Sequence, residues 1–224
     1  IFLHKIARRA VKQRTIKRDP FAGYKLESVP VNHRYLTGEQ FAKLTGVELP
    51  TYRLCHARDL FVFSTFTGLG RADLANLTSE NIVTEPDGSR WIHIERQKTK
   101  AECHIKLLDI PSRIIDKYKG EGKDGKLFFV PATSSLCRSL KMIEEQCKLG
   151  CHLTFYMARH SFATLICLGN GVPIETISRM MGHSSIRTTQ IYAEITNQKV
   201  NRDLLRLADT TKNQYSLPDD KMTP

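Results

Sequence analysis

The chain has no hydrophobic run approaching the roughly 20 apolar residues that a membrane-spanning helix needs. Its opening, Ile-Phe-Leu-His-Lys, lacks the layout of a signal peptide. No C-x-x-C pair occurs among the six cysteines, Cys55, Cys103, Cys137, Cys147, Cys151 and Cys167. They fall on helical or strand-like stretches, as buried free thiols do in a reducing compartment. Cys147, Cys151 and His152 lie close together, but a fourth ligand at zinc-site spacing is missing, so no metal is expected. There is no internal repeat and no low-complexity tract. An initiator Met is also missing and the chain opens in mid-pattern, as expected of a fragment whose N-terminus lies upstream. These absences point to an intracellular, cytoplasmic protein without disulfide staples.

What the chain does have is positive charge. With 41% hydrophobic and 25% charged residues its 224 residues suffice for one good core or two small domains, but the net charge is +11 and the pI about 9.5. Such a surface attracts polyanions, nucleic acid or anionic membrane. Residues 1–34 hold nine Lys or Arg against Asp19 and Glu27, so seven of the eleven net charges sit at one end.

Residues 2–17 place Leu3, Ile6, Ala7, Ala10 and Val11 on one stripe amid Lys5, Arg8, Arg9 and Lys12, predicting a basic amphipathic helix that Asp19-Pro20 stops. The stretch from Pro20 to His33, with Gly23, Pro30 and Asn32, reads as an extended linker. A capping box, Thr37-Gly-Glu-Gln40, opens a new domain, and Tyr52 to Phe66 forms a strongly apolar helix. Trp91 to Lys98 alternates, with Ile92, Ile94, Arg96 and Lys98 on one face, and Cys103, Ile105 and Leu107 alternate after a short turn. That spacing predicts a β-hairpin within a helical protein. Helices are expected at 111–119 and 134–148, from a cap at Thr154 to Leu168, from Pro173 to Gly182, and over 185–206 with one break. The residues from Lys212 on are expected to form a loose tail.

Three motifs follow in order: Ala158-Arg159-His160-Ser-Phe-Ala-Thr, Met181-Gly182-His183-Ser-Ser, and Gln190-Ile191-Tyr192, nine residues past His183. A lone helix tyrosine is ordinarily a half-buried core residue, and a lone Arg a surface charge. Taken with Thr67-Gly68-Leu69 and Lys98 on the hairpin, the set resembles the tyrosine recombinase (phage integrase) family from about residue 33 to 210. The flanking Leu-Thr-Phe-x-Met-Ala-Arg-His-Ser-Phe-Ala-Thr looks most like integrases of mobile elements in Bacteroides-type bacteria. The resemblance implies an α+β, mostly α fold, the tyrosine recombinase catalytic domain with a small antiparallel sheet. Residues 1–19 would then be the last helix of a truncated DNA-clamping domain, 20–33 the linker, 34–210 the catalytic domain and 211–224 a flexible tail. It also implies double-stranded DNA as partner, a homotetramer on DNA with this fragment alone monomeric, a location at the bacterial nucleoid, and no metal, nucleotide or other cofactor.

The implied reaction is attack by a tyrosine hydroxyl on the scissile phosphate, giving a 3′-phosphotyrosyl link and a free 5′-hydroxyl. Negative charge grows on the non-bridging oxygens, so a metal-free site needs fixed guanidinium donors, and a positioned acid must protonate the leaving oxygen. By the resemblance Tyr192 is the nucleophile, Arg159 the second family arginine, His183 the His-or-Trp position and Lys98 the hairpin acid, preferred over Lys100 because it shares a strand face with Arg96. His160 reads as a core residue, and Asp73 as the acid that supports the active-site arginine or helix.

Two positions depart from the family pattern. Where Thr-Gly-Leu-Arg is usual, Gly70 stands in the arginine's place. Arg71 follows one step later, and Arg96 lies two residues before Lys98 on the same strand face; Arg96 is the slightly favoured replacement. Loss of one such donor typically costs about 2.7 to 4 kcal/mol in the transition state. The His-x-x-Arg box reads Tyr156-Met-Ala-Arg159, and a tyrosine can donate a hydrogen bond but is neither a cation nor a base near neutral pH. His152 lies before the cap at Thr154 and is not expected to fill that role. Two other readings stay open: a cleavage-impaired DNA-binding protein of recombinase descent, motivated by Gly70 and Tyr156, and a type IB topoisomerase, which the helix-rich layout and the Gly-His-Ser-Ser box disfavour.

Overall fold

The computed structural model describes residues 2–24, 35–97, 100–192, 203–205 and 207–209. Its chain divides into two compact units, Ile1–Asn32 and His33–Pro224. In the first, helix α1 (Phe2–Lys12) ends sooner than the sequence pattern suggests. Arg14 takes a left-handed conformation (φ 58°) and the Thr15 N–H closes back on the Ala10 carbonyl, so the last turn is capped before Asp19-Pro20 is reached. The linker beyond Tyr24 lies outside the described residues.

The second unit is mostly helical. Helix α2 (Gly38–Gly46) opens on the expected capping box, with both reciprocal bonds between Thr37 and Gln40 formed. Helix α3 (Tyr52–Thr67) is buried nearly all round, the mark of a central helix, and α5 (Asp109–Lys117), α6 (Thr133–Cys147) and α7 (Phe155–Ser161) pack on it. Its polar C-terminal end survives burial because Ser64, Thr65 and Thr67 bond to the carbonyls of Leu69, Phe61 and Phe63. Gly68 then ends the helix with φ 66°, and a Cβ there would lie 2.5 Å from the Phe162 ring. Both the backbone turn and the close approach therefore require glycine.

A short helix α4 (Arg71–Ala75) leads to a three-stranded antiparallel sheet of β1 (Ile82–Thr84), β2 (Arg90–Glu95) and β3 (Glu102–Lys106), in that order. The hairpin is the expected one, with Ile92 opposite Ile105 and Ile94 opposite Cys103; β1 is an addition that the sequence pattern did not indicate. Helix α7 runs on into a π-helical segment, Phe162–Cys167, and a 3₁₀ turn, so the stretch expected as one helix is three kinds of turn in succession. Helix α8 (Ile174–Met181) packs on β3 and stops at left-handed Gly182; Pro173 stands just before its first residue. Helix α9 (Ile186–Gln190) precedes Tyr192, and the tail from 210 on lies outside the described residues. Cys103 and Cys167 are buried, but Cys137 is exposed and Cys55 and Cys147 are partly so, because the helices that carry them turn those faces outward; Cys151, also partly exposed, lies in the bend between α6 and α7. Among the described residues no helix is long and apolar enough to cross a membrane.

Candidate active site

Helices α4, α7 and α9 and the ends of α8 and β2 meet around one cleft of about 380 Å³, lined among others by Gly70, Tyr156, Arg159, His183 and Tyr192. Arg159 leaves α7 one turn before the π segment. Its Nη1 donates a short bond to the Gly68 carbonyl, and its Nη2 donates to the Met181 carbonyl (2.8 Å) and meets His183 Nε2 at 2.9 Å. The guanidinium thus bridges the C-terminal ends of α3 and α8. Burial lowers its pKa, with Arg96 adding to the shift, yet a guanidinium stays charged through any accessible pH.

Arg96 extends the buried face of β2 by one step, since Ile92, Ile94 and Arg96 alternate and its N–H continues the ladder to the Ala101 carbonyl. Only 3% exposed, it lines the same cleft. Its Nη1 pairs with Asp73 at 2.8 Å, its Nη2 reaches the Met180 carbonyl at 3.1 Å and that of Gly68 at 3.5 Å, and Nε points at Cys103 Sγ. Gly182 covers its stem, for a Cβ there would lie 2.8 Å from Arg96 Cγ and 2.6 Å from Cys103 Sγ. Asp73 also accepts the Gln97 N–H at 3.3 Å, tying α4 to the hairpin. Arg71 borders the cleft too, but its guanidinium is turned to the Pro131 carbonyl (3.3 Å). Gly70 has ordinary backbone geometry and leaves open space beside Asp73.

His183 follows the Gly182 stop of α8, and its Nδ1 meets the buried Thr189 hydroxyl at 2.8 Å. Burial, then Arg159 and Arg96, push its pKa down to about 4, so the ring is neutral at pH 7. Tyr192 is 4% exposed, its ring parallel to that of His183 (centroids 6.2 Å apart) and in contact with that of His160 (4.7 Å). Burial pushes its phenol up to about 12; Tyr156 adds to the rise, while Arg159 pulls against it. Tyr156 is 59% exposed at the rim and packs on buried His160 at 4.5 Å, so that the His160 ring touches both tyrosines, while the Tyr156 and Tyr192 side chains hydrogen-bond to each other.

The structure therefore brings together Arg159, His183, Tyr192, Tyr156, Arg96, Asp73, Gly70 and Arg71. Lys98 lies outside the described residues. Lys100, the other lysine of the hairpin turn, forms a solvent-exposed pair with Glu95. His152 is turned to Glu144 at 3.3 Å and does not border the cleft. Thr189 was missed by the sequence reading, because two adjacent threonines on a short helix give no sign of which one turns inward.

An arginine between two helix ends, a neutral histidine and a buried phenol thus meet in one cleft. Residues 34–199 match the phage integrase family, and the chain belongs to it. It is 28% identical over 149 residues to the tyrosine recombinase XerA of Saccharolobus solfataricus, covering 66% of this chain and 49% of that protein. It is 29% identical over 174 residues to XerA of Thermococcus onnurineus, covering 72% and 58%. The chain thus spans about half the length of these curated relatives. Among solved structures, a lambda integrase dimer bound to a COC′ core site superposes with TM-score 0.69 at 18% identity, covering 88% of this chain and 71% of that one. The crystal structure of XerA recombinase superposes with TM-score 0.62 at 19% identity, covering 92% and 83%. The fold is therefore that of a tyrosine recombinase catalytic domain.

Proposed function

We propose that this domain cuts and rejoins one strand of double-stranded DNA through a 3′-phosphotyrosyl bond to Tyr192. The observation that carries the reading is the convergence of Arg159, His183 and the Tyr192 phenol in one cleft. Tyr192 oxygen attacks phosphorus and gives up its proton to solvent; the bond from phosphorus to the 5′-oxygen breaks; a proton passes to that oxygen from the Lys98 ammonium, which solvent then reprotonates. Reversal by the 5′-hydroxyl of another strand completes exchange. Arg159 opposes the charge that grows on the non-bridging oxygens, and Tyr156 supplies a neutral donor at the rim. Arg96 supplies the positive charge that Gly70 cannot, set behind Arg159 by Asp73.

On this reading residues 1–19 end a DNA-clamping domain and the linker from Pro20 crosses the duplex. Basic residues there bind phosphates, so affinity falls steeply with salt. The assembly on paired sites is a homotetramer to which residues after Arg206 contribute, while this chain alone is monomeric. The setting is an integrase of a Bacteroides-type mobile element, acting at the bacterial nucleoid. A suicide duplex nicked beside the scissile phosphate tests the core of this: it should trap a covalent adduct that Tyr192→Phe abolishes. Gly70 and Tyr156 favour the competing reading, a cleavage-impaired DNA-binding protein, which predicts binding without adduct.

A further inference from the structure

Thr189 is fully buried, the one inward-facing residue of α9, and it holds both sides of the site. Its hydroxyl meets His183 Nδ1 at 2.8 Å, and its carbonyl accepts the Tyr192 N–H at 3.0 Å. A guanidinium has only hydrogens to offer, so His183 Nε2, 2.9 Å from Arg159 Nη2, must be the acceptor in that contact. In a neutral ring the proton then sits on Nδ1, and Thr189 Oγ1 accepts it. We propose that Thr189 is a positioning residue: by accepting the Nδ1–H of His183 it holds the ring with its Nε2 lone pair turned to Arg159 and the cleft, in the tautomer that Arg159 requires.

The consequence is directional. With Nδ1 already carrying its proton, any further proton His183 gains must go to Nε2, the edge that faces the phosphate-binding arginine. Without Thr189 the Nδ1–H would lose its acceptor, and the ring would be free to turn Nε2 away from the Arg159 hydrogens or to shift its proton. Arg159 selects which nitrogen stays unprotonated, and Thr189 holds the ring so that this nitrogen meets it. Arg159 and Arg96 both disfavour the imidazolium, and the Tyr192 ring lies parallel to the imidazole rather than against a nitrogen. Across the second cleft that His183 borders, Glu102 and Glu175 are matched by Lys106 and Arg179. A neutral ring, to which burial has already committed His183, is the state in which a tautomer matters.

The proposal rests on the recombinase reading for its consequence in catalysis, but its structural half is tested without DNA. Nitrogen-15 spectra of histidine-labelled protein at pH 7, with His183 assigned by its loss in His183→Gln, should show a protonated Nδ1 and an unprotonated Nε2. Thr189→Ser should keep that signature and full adduct formation. Thr189→Val, a near-isostere, should lose it and slow adduct formation about tenfold, the rate equivalent of one ordinary hydrogen bond. A wild-type spectrum with the proton on Nε2 overturns the proposal even if Thr189→Val fails to fold. So does a folded Thr189→Val that keeps both the Nδ1–H signature and the wild-type rate. If no wild-type adduct forms at all while the Nδ1–H signature is present, the recombinase reading fails and the tautomer assignment stands.

Discussion

Removing Arg96 should separate the site's electrostatics from its packing. The Arg96–Asp73 pair is 2.8 Å long, with the two side chains 4% and 14% exposed. Arg96→Ala leaves that carboxylate with the Gln97 N–H at 3.3 Å and strips the Met180 carbonyl of its donor. Breaking a buried pair from one side typically costs about 3 to 5 kcal/mol, so the urea midpoint should fall by an amount equivalent to that range. Adding Asp73→Asn should return part of the loss, with a coupling of about 1 to 3 kcal/mol in a double-mutant cycle. Single-turnover cleavage of a nicked duplex, measured well below the unfolding transition, should fall about a hundred- to thousandfold, as for other lost donors to a developing oxyanion. Arg96→Lys keeps the charge but not the fork, and should fall between. The reasoning is refuted if folded Arg96→Ala cleaves at the wild-type rate, which would return the missing arginine's role to Arg71.

Gly68→Ala should lower stability by about 2 to 4 kcal/mol, because it combines a left-handed backbone with overpacking against Phe162; denaturant titration reads this directly. A phenol held at about 12 should show no phenolate absorbance from Tyr192 below about pH 11, read as the difference between wild type and Tyr192→Phe. The unfolded chain binds a proton at an ordinary histidine near 6.5 while folded His183 resists it until about 4, so this ring's contribution to stability is complete above 6.5 and is lost as pH falls through that window. His183→Gln should flatten that part of the stability profile.

Features set by neighbours in sequence were legible. The Thr37 capping box, the alternation that puts Ile92, Ile94 and Arg96 on one face, and the glycine stops at Gly68 and Gly182 all depend on spacing of a few residues. Features set by neighbours in space were not. Strand β1 is three residues long, too short to alternate, and exists because β2 offers it an edge. The early end of α1 depends on Arg14 adopting a conformation that only a few per cent of non-glycine residues take. The π segment is one shift of hydrogen-bond partner with no compositional mark. At the site, order and spacing singled out Tyr192, Arg159 and His183. They could not show that Arg96 is sunk among acceptors, or which of two threonines holds the histidine.

The acceptors around the arginines explain how the site can hold two cations side by side. Met180 and Met181 offer last-turn carbonyls of α8 that have no partner inside the helix, and Gly68 offers the one just past α3. Helix C-termini carry partial negative charge, so two of them aimed at one point form a cradle for guanidinium groups. Carbonyl dipoles are fixed and neutral, whereas a carboxylate facing Arg159 would cancel the positive charge of its guanidinium. Only Arg96, the rear cation, is given a full counter-charge, in Asp73. Gly68 and Gly182 are therefore more than helix stops: each lets a chain end approach so closely that a side chain at either position would collide, with Phe162 at one and with Cys103 and Arg96 at the other. The positive charge this leaves at Arg159 is the one the proposed attack on a phosphodiester relies on, and it is held by backbone that the absence of an arginine at position 70 does not touch.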